Sequence, residues 1–214
     1  MSATNRGSKR VENDYYSTPP WAVDIILPHL NIDINSDRGI LSPAAGKGEI
    51  ITRLVNKFGF NSIFVEGLEI DPERASEAQK CCIGAVLCCD AIQQMKTWGT
   101  RTDLQLIIDN PPYVLVDEYA KSCLELAAFG KKEYNNTTVA LLTNISFLFG
   151  IARHKFWKQY PADLYLLPRR PSFFSKWVWS DKKKKMVKVS NDATNYAWVV
   201  WNNSSSGKWI RLEV

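Results

Sequence analysis

No apolar run in this chain of 214 residues is long enough to cross a bilayer as a helix, so no transmembrane helix is expected. Met1 to Arg10 lacks the apolar core of a signal peptide, which makes a cytoplasmic protein the expectation. No internal repeat is visible. The five cysteines (Cys81, Cys82, Cys88, Cys89 and Cys123) lack the spacing of zinc ribbons or fingers, so no metal site is expected. Their odd number and apolar surroundings suit reduced, buried thiols. A phosphate-binding loop is also excluded. Its Gly-Lys-Ser/Thr ending is missing, because Gly48-Glu49 follows Lys47. Nor is the charge strongly of one sign: a formal net charge of +5 permits a polyanionic partner without requiring one.

What is present fits one globular domain. Hydrophobic residues make up 45% of the chain and charged residues 23%, enough for a sizeable core at this length. Residues 1–13 are polar and basic without periodicity and read as a flexible tail, leaving 14–214 as the domain.

The most informative stretch is Leu106-Ile107-Ile108-Asp109-Asn110-Pro111-Pro112-Tyr113. An apolar, β-branched run bounded by breakers reads as a buried strand. The two prolines lack N–H groups and fix φ, so the ladder stops and the backbone turns stiffly. Asn110 and Tyr113 are then held at the carboxyl end of a strand, where open α/β sheets bind ligands. Asn110 offers an acceptor and a donor, Pro111 a backbone carbonyl, and Tyr113 a flat ring. Together they suit a planar molecule carrying an NH₂ group. Two carbonyls accepting both N–H bonds keep the nitrogen lone pair out of the ring and make it a better nucleophile. Asp109 reads either as a positioning group or as a strand-end cap.

Upstream, Thr18 is a candidate N-cap for a helix that starts at Pro19-Pro20 and runs to about Leu30. Gly39-Ile40-Leu41 is a strand leading through Ser42-Pro43-Ala44-Ala45-Gly46-Lys47-Gly48 into a second helix. Gly46 and Gly48 can take positive φ there. Ile63 to Glu69 is a second strand, and Asp71-Pro72 caps the helix after it. Ile83 to Cys88 is a third strand, ending in Cys89-Asp90-Ala91. Further strands are expected at Thr137–Leu142, Asp163–Leu167 and Tyr196–Trp201, with Trp209 to Leu212 a candidate for one short strand more. The alternation of strands and helices implies a doubly wound, mostly parallel sheet.

The Asn-Pro-Pro-Tyr stretch resembles the signature of amino-group methyltransferases, chiefly adenine-N6 enzymes, and the other segments follow in that family's order. The resemblance covers roughly Tyr15 to Trp201. It implies the class I methyltransferase fold, a Rossmann-like single domain with a seven-stranded sheet whose last strand is antiparallel. It also implies S-adenosylmethionine as cofactor. Tyr16, Thr18 and Pro19 would close over the methionine part. Ser42, Pro43, Ala44, Gly46 and Gly48 would form the glycine loop, with Ser42 where the family usually has an acid for the ammonium group. Glu69 would bind the ribose, with Ile70 against the adenine. Asp90 and Ala91 would meet the cofactor's adenine amino group, and Asn110 would border both halves. The catalytic set would be Asn110, Pro111, Pro112 and Tyr113, with Asp109 beside them.

Residues 168–195 interleave basic and aromatic groups and read as a hairpin insert. Arg pairs with phosphate and aromatic faces stack on bases. Arg169, Arg170, Phe173, Lys176, Trp177, Lys182 and Lys183 are therefore candidates for nucleic-acid contact. With the early Thr-Pro helix they favour DNA as partner, methylated at adenine N6 while flipped out or single-stranded, either at specific sites or nonspecifically. RNA adenine or guanine, a protein glutamine amide, and a silent nucleic-acid-binding module are the alternatives. A small stand-alone enzyme of this kind would suit a phage and its host's cytoplasm.

Overall fold

The computed structural model describes residues 15–130, 137–171, 173, 175–180, 185–190 and 194–213, with the backbone alone for 175–180 and 185–190. The strands are β1 (Gly39–Ser42), β2 (Val65–Glu69), β3 (Val86–Cys88), β4 (Leu104–Asp109), β5 (Thr138–Asn144), β6 (Asp163–Leu166), β7 (Ser175–Ser180), β8 (Lys185–Ser190), β9 (Tyr196–Trp201) and β10 (Trp209–Arg211). The helices are α1 (Pro20–Ile26), α2 (Glu49–Asn56), α3 (Pro72–Gln79), α4 (Ala91–Trp98), α5 (Val116–Leu126) and α6 (His154–Gln159). The main sheet runs β10-β6-β9-β5-β4-β1-β2-β3. Its five consecutive strands β5, β4, β1, β2 and β3 are parallel, and β9 lies antiparallel between β5 and β6.

One expectation needs correcting here. The sheet has eight strands rather than seven, because the candidate strand at Trp209–Leu212 does form, over Trp209–Arg211, while the expected seventh strand, β9, is antiparallel as expected. The cause is Asp163, buried at the start of β6, whose Oδ1 accepts from Ser206 N (3.0 Å) and Lys208 N (2.9 Å). That anchor brings Trp209–Arg211 alongside β6 in parallel register. The insert forms its own antiparallel pair, β7 with β8, while the expected tail at 1–13 lies outside the described residues.

The central strands β1, β4, β5 and β9 are buried on both faces, which accounts for their near-continuous apolar runs. Alternation along β9 sends Trp198 and Val200 to the side of α1, α2 and α3, and Val199 and Trp201 to the side of α4, α5 and α6. Pro19, not Thr18, is the residue before α1, and Thr18 makes no cap there. Its hydroxyl side chain is buried further in. The buried face of α1 is Ala22, Val23 and Ile26, with Trp21 and Ile25 half-buried. Asp71 does cap α3, accepting from Arg74 N at 2.9 Å with Pro72 in the first turn. The third strand shrinks to three residues at the sheet edge, so Cys88 is exposed. Only Cys82 and Cys123 among the five free thiols are buried.

Trp198 fastens α1 to the sheet by donating its indole N–H to Ala22 O at 2.8 Å. Trp198→Phe removes that bond and leaves a small void. A loss of about 1–3 kcal/mol is expected, seen as a melting point lower by roughly 2–10 °C for a chain this size. An unchanged melting curve would show that the bond contributes nothing.

Candidate active site

The chain leaves β1 toward β2 on one side and leaves β4 toward β5 on the other. A crevice opens at the carboxyl ends of β1 and β4 where the direction reverses. A cavity of about 390 Å³ occupies it, within the usual span for small-ligand sites. Of the residues expected to hold a cofactor, Tyr16, Thr18, Pro43, Ala44, Gly46, Glu69, Ile70, Asp90, Ala91 and Asn110 line this one cavity. Asp109 and Pro112 line it too. Pro19, Ser42, Gly48, Pro111 and Tyr113 do not.

The loop after β1 is built for close approach. Gly46 (φ 56°) and Gly48 (φ 85°) both sit in left-handed backbone. A Cβ on Gly46 would lie 2.6 Å from Tyr15 Cε2, so only glycine admits the Tyr15 ring above the loop. The Tyr15 hydroxyl donates to Glu49 Oε1, and Arg74 lies 4.8 Å from the ring centroid. Burial and the Glu49 carboxylate push the Tyr15 pKa up, which keeps that hydroxyl a donor.

Two buried carboxylates hold the loop from below. Glu69 accepts from Gly46 N (2.9 Å) through Oε2, and from Asp71 N (2.9 Å) and Arg74 Nε (3.2 Å) through Oε1. Asp109 accepts from Ala44 N through Oδ2 and from Asn110 N (2.7 Å) through Oδ1, and the Tyr119 hydroxyl donates to Oδ2 at 2.7 Å. Burial raises the Asp109 pKa to about 7, against the pull of those three donors. Asp90 is the N-cap of α4, accepting from Gln93 N at 3.0 Å. Ser42 is buried, and its hydroxyl has no partner among the described residues.

At the β4 corner, Asn110 Nδ2 donates to Tyr16 O (2.9 Å), and its Oδ1 accepts from the Tyr113 hydroxyl (2.6 Å). The Tyr113 ring stacks on Tyr16, with centroids 5.5 Å apart and planes 21° apart, and leans on Phe173 and Tyr196. The face of Tyr113 expected to meet a base is thus shared with Tyr16. Phe173 is buried in this aromatic cluster, only 8% exposed. Arg169 and Arg170 are exposed nearby, Arg169 lying 4.4 Å from the Trp21 ring centroid. Lys176 and Trp177 are in β7, where the backbone alone is described, and Lys182 and Lys183 lie outside the described residues.

Sequence reasoning missed Tyr15, Glu49, Arg74 and Tyr119, all of which line the cavity. Glu49 and Arg74 carried a usable signal, since each falls in the first turn of a helix that follows a strand-end loop. Tyr119 carried none, because it meets Asp109 only after α5 folds onto the sheet.

No protein-family model matches the chain, and no curated protein matches its sequence. Solved structures do resemble it. A type I restriction-modification methyltransferase subunit from Streptococcus thermophilus aligns over 92% of this chain and 47% of its own, with TM-score 0.63 and 14% identity. DrdV in its DNA complex aligns over 92% and 28%, with TM-score 0.59 and 14% identity. An S-adenosylmethionine-dependent O-methyltransferase from Thermotoga maritima aligns over 86% and 65%, with TM-score 0.53 and 15% identity. The chain therefore spans less than two thirds of each of these proteins. What it shares with them is the Rossmann-like fold of S-adenosylmethionine-dependent methyltransferases.

Proposed function

We infer that the protein transfers a methyl group from S-adenosylmethionine to the N6 amine of adenine in DNA. The observation that carries this reading is Asn110, which borders the cavity of the glycine loop and touches Tyr113.

The cavity suits the cofactor's chemistry. Glu49, Glu69 and Asp90 face it against a single arginine, Arg74, an excess of negative charge that favours a cationic ligand rich in hydroxyls. Glu69 and Asp90 would hold the ribose and adenine, and Ile70, Ala91 and Ile92 supply apolar walls. Ser42 is buried and does not line the cavity, so the ammonium group would fall to Glu49 instead. When bound, the cofactor supplies an electrophilic methyl group on a sulfonium.

The remaining work belongs to the chain. Asn110 Oδ1 and the Pro111 carbonyl would accept the two N–H bonds of the adenine amine, so the nitrogen keeps its lone pair for attack. The Tyr113 hydroxyl must first leave Asn110 Oδ1. Leaving the stack costs an adenine a few kcal/mol in a duplex and less in a single strand. Stacking on Tyr113 returns about 1–3 kcal/mol once Tyr16 gives up the face it covers. Orientation supplies much of the rest, roughly 7–11 kcal/mol where reacting groups are well placed.

Mass spectrometry of nucleosides from unmethylated DNA incubated with the protein and S-adenosylmethionine tests the reading. N6-methyladenine is expected; its absence despite calorimetrically measured cofactor binding would overturn it. Tyr113→Ala should raise KM for DNA by about tenfold or more, the equivalent of one lost stack. Tyr113→Phe keeps the ring and removes the hydroxyl that occupies Asn110, so its KM should be no worse than wild type. A Tyr113→Phe loss matching Tyr113→Ala would show that the hydroxyl, not the face, meets the substrate.

A further inference from the structure

A second cleft, about 520 Å³, opens on the same edge of the sheet, beyond β9. Tyr196 lines it and also touches Tyr113 across 5.6 Å between ring centroids, so one side chain separates the cleft from the Asn110 corner. Three arginines line it: Arg169 and Arg170 after β6, and Arg211 at the end of β10. No acidic side chain does, and none of the three forms an ion pair among the described residues. Arg170 instead donates through Nε to Asn195 Oδ1 at 3.0 Å, which steadies it at the rim. Period-two alternation puts Trp209 and Arg211 on one side of β10, with Ile210 turned to the core. Trp209 is 66% exposed and Phe149, across the cleft, 60% exposed. Arg169 also lies over the Trp21 ring, so the cleft joins exposed aromatic faces to guanidinium groups that make no ion pair among the described residues.

We propose that this cleft binds the nucleotide adjoining the target adenine, its base stacked on Trp209 and its phosphates held by Arg211 and Arg169. The inference rests on reading Asn110 as the target corner. The chemistry is that of a single-strand platform: aromatic faces accept any base, and a carboxylate-free basic wall follows the backbone. Trp209 and Arg211 come from the short eighth strand, so the strand beside β6 has a use as well as a place. Under this assignment a flanking base is captured next to the aromatic cluster while the target adenine turns toward Asn110.

The test is binding by fluorescence anisotropy of a labelled thymidine oligonucleotide carrying one adenine, using the full chain over a range of salt. Trp209→Ala should weaken binding about tenfold with an unchanged salt dependence, and Trp209→Phe should stay within about twofold of wild type. Arg211→Ala should lower the slope of log K against log salt by about 0.7, the loss of one phosphate contact on a single strand. Wild-type affinity for Trp209→Ala, or an unchanged slope for Arg211→Ala, overturns the assignment. Both substitutions are on an exposed edge strand, and circular dichroism verifies that the variants are folded. Binding needs no turnover, so the two readings part cleanly. These losses without any methyl transfer keep the cleft and remove the reaction. Transfer with intact Trp209→Ala binding removes the cleft alone.

Discussion

Asn110→Ala should lower methyl transfer by about 10²–10³-fold or more, the usual cost of deleting one positioned polar group from a reacting centre. Cofactor binding should survive, weakened about fivefold. That residual loss has a specific source: Asn110 Nδ2 donates to the Tyr16 carbonyl, and one such bond contributes about 1 kcal/mol. Single-turnover kinetics gives the first quantity and calorimetry the second. Turnover within tenfold of wild type would remove Asn110 from the chemistry. A complete loss of cofactor binding would instead make it a strut for the Tyr16 segment.

The second large effect concerns Asp109. In Asp109→Ala three donors, the buried Tyr119 hydroxyl and the part-buried Ala44 N and Asn110 N, lose their acceptor together. A buried donor left unmet costs about 1–3 kcal/mol, and with the two part-buried ones added the loss is a large part of the roughly 5–15 kcal/mol that holds a domain folded. The Ala variant should melt far below wild type or fail to fold. Asp109→Asn is the informative partner, since it keeps an acceptor and cannot titrate. Burial lifts the Asp109 pKa from 3.8 to about 7, so between those values the folded state holds a proton that the unfolded chain has released. The sign follows from linkage. This contribution to stability is fully present below about pH 4 and is lost as pH rises through about 7. Relative to Asp109→Asn, wild type should therefore lose a few kcal/mol across that window, at about 1.4 kcal/mol per pKa unit. Urea unfolding of both proteins at several pH values measures the difference. Parallel curves would show that Asp109 is ionised throughout and that its three donors outweigh burial.

How much of this was legible beforehand follows from the range of each signal. Strand ends and the glycine loop are local events, announced by Pro, Gly and β-branched runs, so many of the cavity's residues could be named from the sequence, though not Tyr15, Glu49, Arg74 or Tyr119. Ser42 could not be resolved that way. It seemed to need a replacement acid, but its side chain does not line the cavity at all, whereas Glu49 at the start of α2 does. Phe173 misled as well. It sits in a basic aromatic run that reads as surface, but Tyr16, Tyr113 and Tyr196 close around it from three distant segments. The short strand β10 was legible as a candidate, but its parallel register beside β6 was not, because that depends on the buried Asp163.

Tyr16 belongs to two neighbourhoods at once: it borders the glycine-loop cavity, while its carbonyl and ring engage Asn110 and Tyr113. A ligand that shifts Tyr16 from the cavity side therefore also shifts the Asn110–Tyr113 corner. Thermodynamic reciprocity follows: whatever factor a filled cavity imposes on affinity at that corner is returned in equal measure. Under the proposed function, cofactor and DNA would share one coupling factor, transmitted through Tyr16.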